Sequence, residues 1–106
     1  MEQPNLNYIK TLSEGDKEFE AKIITVLKKE LPSEIQEFKN SLEDMDFIKS
    51  AENVHKLKHK ISILGLTKAY EEAASFENDL KNHQDTKRSE SFLAVLESMM
   101  DFLGPL

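Results

Sequence analysis

The chain has 106 residues, of which 39% are hydrophobic and 32% are charged, and its formal net charge is −6. This length supports one modest hydrophobic core, so we expect a single domain over residues 1–106. Cysteine is absent, which excludes disulfides and thiolate chemistry, and the acidic balance argues against broad nucleic-acid binding. No apolar run approaches the ~20 residues of a membrane span and the N-terminus lacks a signal-peptide pattern, so the sequence predicts a cytoplasmic protein that does not bind membranes.

The first half of the chain predicts three short helices. The first surrounds Ile9 and ends before Gly15, and Asp16 caps the second. Pro32 predicts a boundary at Leu31, because proline is favoured in the first turn of a helix, although a kinked and nearly continuous helix fits equally well. The apolar stripes of the second and third helices consist of Phe19, Ile23, Val26 and Leu27, and of Ile35, Phe38, Leu42 and Met45.

The second half predicts three more helices and no strand. Asp46 caps the fourth helix, Gly65 ends it, and the fifth starts near Thr67. The sixth follows a polar turn and starts near Lys87. Apolar residues at helical spacing on each helix predict an all-α protein, an antiparallel up-down four-helix bundle that begins at Ser33 and carries one or two additional N-terminal helices. The inward positions of these helices include Ile48, Val54, Leu57, Ile61, Tyr70, Ala73, Phe76, Leu80, Phe92, Leu96 and Met99.

His55 lies in a locally basic part of this acidic chain. Residues 49–68 contain five lysines and one glutamate, a charge balance that favours an anion or an acidic partner. At ~100° per residue, His55 falls at the edge of the apolar stripe of its helix. Lys58, one turn later, can run its stem along that stripe and bring its ammonium towards the ring. The residues that share the flank of His55 are Ile48, Glu52, His59 and Ser62.

A lone histidine is most often a half-buried structural residue, and three sharper interpretations compete with that one. His55 and His59 could share a metal with Glu52, but three neighbouring lysines would repel a cation, so we predict no metal site. A di-iron site needs a second Glu-x-x-His pair, and neither His59 nor His83 supplies one. The third is a nucleophilic histidine, since a neutral imidazole attacks acyl phosphates when a carboxylate fixes its tautomer and an ammonium offsets the added charge.

The residues around His55 carry a family resemblance. The run from His55 through Leu57 and Lys58, followed by Leu64-Gly65, resembles the His-x-Leu-Lys-Gly…Leu-Gly signature of histidine-containing phosphotransfer (HPt) domains. The likeness extends along most of the chain. It includes Gly15-Asp16 with Phe19, Pro32, Leu42 with Asp46, and Phe76-Glu77 with Leu80.

The resemblance implies a phosphorelay intermediate rather than a turnover enzyme. His55 would accept a phosphoryl group from a receiver-domain aspartate and pass it to another response regulator, Lys58 would stabilise the phosphoryl group, and Glu77 would orient the histidine. The implied partners are response-regulator receiver domains and a hybrid histidine kinase. No cofactor is expected because the receiver supplies Mg²⁺, and the protein is predicted to be a monomer. The predicted binding residues are Ile48, Glu52, Lys56, His59, Lys60 and Ser62.

The chain departs from the family at two positions after Lys58. His59 and Lys60 stand where the family usually has glycine and a small residue. In the family, those small side chains leave room for a receiver domain to approach the histidine. We expect altered docking with transfer retained, since the acceptor and Lys58 are present. The alternative is a helical-bundle interaction module that docks a receiver domain or another acidic partner without accepting phosphate.

Overall fold

The computed structural model describes residues 2–106 and contains five helices in place of the six predicted. Met1 lies outside the described residues. Within residues 2–106 the fold is all-helical, with no strand, and no helix is both long and apolar enough to cross a membrane. The helices are α1 (Asn7–Ser13), α2 (Lys17–Glu43), α3 (Phe47–Ile63), α4 (Thr67–His83) and α5 (Ser89–Leu103).

The helix count differs because α2 continues through Pro32. The predicted boundary at Leu31 is therefore wrong, and the continuous helix, which fitted the sequence equally well, is the one that forms. Proline removes one backbone hydrogen bond from a helix and normally weakens it. Here Leu27, Leu31 and Phe38 are buried along one stripe on both sides of the proline, so packing holds the two halves together.

Consecutive helices from α2 to α5 pack on one another, and α5 returns to contact α2, so these four helices enclose the core. The helix α1 packs on α2 outside this group. Three aromatic rings meet inside, with centroids 6.0 Å apart for Phe38 and Phe76 and 5.2 Å apart for Phe38 and Phe92. Because these rings come from α2, α4 and α5, they set the separation of the helices.

Several residues predicted to face inward are exposed instead. In α2 no side chain before Leu27 is buried, so Phe19 and Val26 remain largely exposed. Met45 is 71% exposed in the connection between α2 and α3, where its φ of +56° places it in the left-handed region and outside the helix. Ile48 and Tyr70 are also exposed, and both lie on the α3–α4 side of the molecule that carries His55.

The polar caps explain where the helices begin. As predicted, the Asp16 carboxylate accepts the backbone N–H of Phe19, and that of Asp46 accepts the N–H of Lys49. The start of α4 is capped from a distance, since the Glu2 carboxylate accepts the backbone N–H groups of Lys68 and Ala69 at 2.9 and 3.1 Å. The N-terminal segment thus completes a helix that begins 65 residues later.

The contact between Glu2 and α4 predicts a pH-dependent stability. The hydrogen bond from the Lys68 N–H lowers the pKa of Glu2 below its ordinary value of 4.5, against a smaller opposing effect of burial, and the Ala69 N–H adds to the lowering. A carboxylate whose pKa is lower in the folded than in the unfolded protein stabilises the fold at pH values above its unfolded-state pKa. This stabilisation is lost as the pH falls through the folded-state pKa.

Glu2→Gln should therefore lower the free energy of unfolding at pH 7 by about 0.5 kcal/mol, the low end for a helix cap because the carboxylate is accessible to screening. The difference from wild type should shrink as the pH falls below 4.5. Urea denaturation at pH 7 and pH 3 measures both values. Glu97→Gln, in an exposed position on α5, is the control and should show no such difference. An equal loss of unfolding free energy in Glu2→Gln at pH 7 and pH 3 would contradict the proposed capping of α4 by the Glu2 carboxylate.

Gly65 fixes the corner between α3 and α4. Its φ is +77°, and a Cβ atom there would lie 2.5 Å from the amide nitrogen of Asn5. The backbone N–H of Asn5 also donates to the Leu64 carbonyl at 2.9 Å. A side chain at this position would strain the backbone and would force the side chain of Asn5 to move. The corner sets how α4 packs along α3, and so positions Glu77 beside His55.

Candidate functional site

His55 lies at the edge of the packed face of α3, as its spacing predicted. Val54 and Leu57 on the same helix are fully buried, whereas the side chain of His55 is 56% exposed. The ring therefore stands against the rim of the core and remains open to solvent. A histidine sealed in the core could not be reached by a partner protein, and the structure excludes that arrangement.

Glu77 reaches His55 from the neighbouring helix α4. Its carboxylate oxygens lie 3.2 Å and 3.4 Å from Nδ1 of the ring. A carboxylate only accepts hydrogen bonds, so Nδ1 carries the hydrogen and donates it. In the neutral ring this leaves the lone pair on Nε2, for which the structure shows no hydrogen-bond partner within residues 2–106. The geometry thus presents one imidazole nitrogen as a free nucleophile.

Lys58 contacts the same carboxylate from the core side. Its Nζ lies 2.9 Å from Oε1 of Glu77, and its side chain is only 13% exposed. The ammonium also lies 5.5 Å from the ring centroid of Tyr70, within the range of a cation–π contact. Lys58 therefore binds Glu77, while Glu77 binds His55. The sequence predicted that the Lys58 ammonium approaches the ring of His55. In the structure it contacts Glu77, which is the partner of Nδ1.

His59 stacks on His55 one turn further along α3. The two ring centroids are 5.4 Å apart and the rings meet edge to face at 86°. His59 thus covers one side of the histidine, at the position where the resemblance leads one to expect glycine. Within residues 2–106, no group of three or more histidine and acidic side chains is arranged to hold a metal ion.

The predicted binding residues divide into two groups. Ile48, Glu52 and Lys56 line a groove of about 550 Å³ that also contains His55 and Glu77. Ser62 is exposed on α3 but does not line this groove. Lys60 lies outside the groove, with its side chain 12% exposed between α3 and α2.

Lys60 forms ion pairs that stabilise the packing of α2 on α3. Its Nζ lies 2.8 Å from a Glu34 carboxylate oxygen and 3.1 Å from one of Glu30. Burial alone would lower the pKa of this lysine, but the hydrogen bonds to Glu34 and Glu30 outweigh burial and the pKa is raised. Lys60 is thus a charged structural residue in this fold, and a partner has little access to it.

The lysines of the basic segment are similarly paired. Lys49 lies 3.7 Å from Glu52, and Lys56 lies 3.6 Å from Glu37. Together with the pairs of Lys58 and Lys60, these contacts neutralise much of the positive charge that the sequence placed around His55. A different lysine, Lys81, also lines the groove. Sequence reasoning missed it because it lies 26 residues from the histidine, on another helix.

Comparison with protein-family models matches residues 22–104 to the Hpt domain. The chain is a member of the Hpt family. The resemblance seen in the sequence is confirmed, and the match covers the four helices of the core while leaving α1 and the first residues of α2 outside. Hpt domains act in phosphorelays as carriers of a phosphoryl group on histidine, and they interact with receiver domains and kinases. Searches of curated proteins and of solved structures each found no match.

Proposed function

We propose that His55 of this Hpt domain accepts a phosphoryl group from an aspartate of a response-regulator receiver domain and passes it to another response regulator. The observation that carries the proposal is the hydrogen bond from Nδ1 of His55 to Glu77, made by a ring that is 56% exposed. Of the three histidines in the chain, His55 is the one with an ion-pairing carboxylate among residues 2–106. This arrangement supplies both a free nitrogen and a fixed tautomer.

The proposed transfer is a displacement at phosphorus. The lone pair of Nε2 forms the P–N bond, the P–O bond to the receiver aspartate breaks, and the aspartate leaves as a carboxylate. The hydrogen on Nδ1 remains in its hydrogen bond with Glu77, which stabilises the positive charge that develops on the ring. A carboxylate of a second receiver then takes the phosphoryl group by the reverse step. The receiver contributes Mg²⁺, and the domain contributes no cofactor of its own.

Glu77 and Lys58 act together in this proposal. Glu77 holds the Nδ1–H tautomer, and Lys58, whose Nζ lies 2.9 Å from the carboxylate, holds Glu77 in place. Lys58 therefore stabilises the phosphorylated state chiefly through Glu77 and its own positive field.

The groove beside His55 is the proposed docking surface. Ile48 is 57% exposed and offers an apolar contact, while Glu52 and Lys56 provide polar contacts at the same groove. We further propose that α2 to α5 run alternately up and down, which is supported by the short connections at 44–46 and 64–66 between helices that pack on each other. In that arrangement α3 and α4 present one continuous face to a receiver domain.

The test is incubation with a panel of receiver domains phosphorylated with radioactive phosphate. We expect the label to move to this chain with at least one receiver, in a bond that is labile to acid and stable to alkali. Such stability distinguishes phosphohistidine from phosphoserine and from aspartyl phosphate. A receiver that binds tightly but transfers no label would instead favour the interaction module.

Glu77→Gln should slow transfer by about tenfold to a hundredfold, because the glutamine no longer stabilises charge on the ring or pairs with Lys58. The rate of label uptake from one phosphorylated receiver measures the change. Glu71→Gln, on an exposed part of the same helix, should transfer at the wild-type rate. If the Glu77 variant transferred at the rate of the Glu71 variant, the negative charge of Glu77 would have no part in the transfer.

A further inference from the structure

Lys81 lies in the groove with His55, although no sequence pattern joins the two residues. It is an exposed residue of α4, one turn beyond Glu77, and the two residues line the same groove. A lysine four residues after a glutamate usually pairs with it on the helix surface. Here Glu77 is held by His55 and Lys58, and within residues 2–106 Lys81 has no carboxylate oxygen inside 4.0 Å.

The charges around the groove distinguish Lys81 from the other lysines near His55. Lys58 is 13% exposed and bound to Glu77, and Lys56 lies 3.6 Å from Glu37. The groove also contains the carboxylates of Glu52 and Glu77. Those two carboxylates already take up the charges of Lys58 and Lys49. A phosphoryl group adds about −1.5 to −2 charges at neutral pH, so a further cation at the groove would stabilise it.

We propose that the ammonium group of Lys81 contacts the phosphoryl group on Nε2 of His55 and stabilises it. The inference rests on the proposed function and adds a residue to it. Glu77 holds Nδ1, so the phosphoryl group is attached at the other nitrogen of a ring that lines the groove. The stem of Lys81 gives its ammonium the reach to approach from α4, while the ammonium of Lys58 is bound to Glu77 at 2.9 Å. Lys81 contacts the phosphorylated product and takes no part in breaking or forming a bond.

The test is a comparison of Lys81→Met with wild type in the phosphorylated state. A nearby ammonium favours the phosphoryl dianion, so its removal should raise the second pKa of the phosphoryl group, measured by ³¹P NMR titration, by about 0.3–0.7. The equilibrium between phosphorylated receiver and phosphorylated Hpt domain should shift towards the receiver by about two- to fivefold. Lys81→Arg should restore both values, because it keeps the charge.

Lys87→Met is the matched control. Lys87 is exposed just before α5, outside the groove, and its replacement should change neither measurement. A merely structural role of Lys81 at the end of α4 would alter the unfolding free energy and leave the phosphoryl pKa unchanged. An unchanged pKa and equilibrium in Lys81→Met, with normal uptake by wild type, would overturn this inference and leave the proposed function standing. Absence of uptake by wild type from any receiver would overturn both.

Discussion

His55→Gln is expected to abolish phosphoryl uptake, with less than about a thousandth of the wild-type label remaining, since no other group takes over the attack on phosphorus. Glutamine has a similar length and polarity but an amide nitrogen with no available lone pair. The His55 side chain is more than half exposed, so the change should alter the unfolding free energy by no more than about 0.5 kcal/mol. Label incorporation and urea denaturation on the same sample measure the two effects.

Two other histidines serve as controls for that result. His83 is exposed at the end of α4, and His83→Gln should accept the label as wild type does. His59→Gln should also accept it, at a changed rate, because His59 stacks on the acceptor at 5.4 Å without contributing the nucleophile. Full labelling of the His55 variant, or loss of labelling in the His83 variant, would assign the acceptor elsewhere.

Phe38→Ala is expected to lower the free energy of unfolding by about 3–5 kcal/mol, a large part of the ~5–15 kcal/mol of a typical domain. Phe38 is fully buried and packs against Phe76 and Phe92, so truncation leaves a cavity between three helices. One of those helices, α4, carries Glu77 and Lys81. The variant should therefore also transfer phosphoryl groups more slowly wherever it remains folded.

Phe19→Ala provides the matched control, since the same side chain is 42% exposed at the start of α2. We expect it to change the free energy of unfolding by less than about 1 kcal/mol. Urea denaturation with a shared m-value compares the two variants. Similar losses for Phe19 and Phe38 would show that the ring cluster does not hold the core together.

The position of the proposed acceptor histidine and the helix ends are features that local sequence specifies. Asp16 and Asp46 cap the turns that follow them, and Gly65 supplies the left-handed residue at the end of α3. His55 lies at a predictable edge because the apolar spacing of α3 determines which side chains are buried. Each of these features depends on residues that are close together in the sequence, so it can be predicted from the sequence alone.

Charge pairing around the site could not be predicted in the same way. The sequence shows five lysines near His55, and they predicted a local positive charge that favours an anion or an acidic partner. In the fold Lys60 is held by Glu30 and Glu34, and Lys58 is held by Glu77. These partners lie 19 to 30 residues away along the chain, and only the packing of α2 and α4 on α3 brings them close.

The sequence by itself determined that this protein is helical, that His55 lies at the rim of the core, and that the chain contains the sequence motifs of its family. The tertiary structure alone decided that α2 continues through Pro32, that Glu2 caps α4, and that Lys81 shares a groove with the histidine. The division has a physical cause. Helix periodicity and capping are short-range interactions encoded within one or two turns, whereas the ionic environment of a side chain depends on which distant helices pack against it.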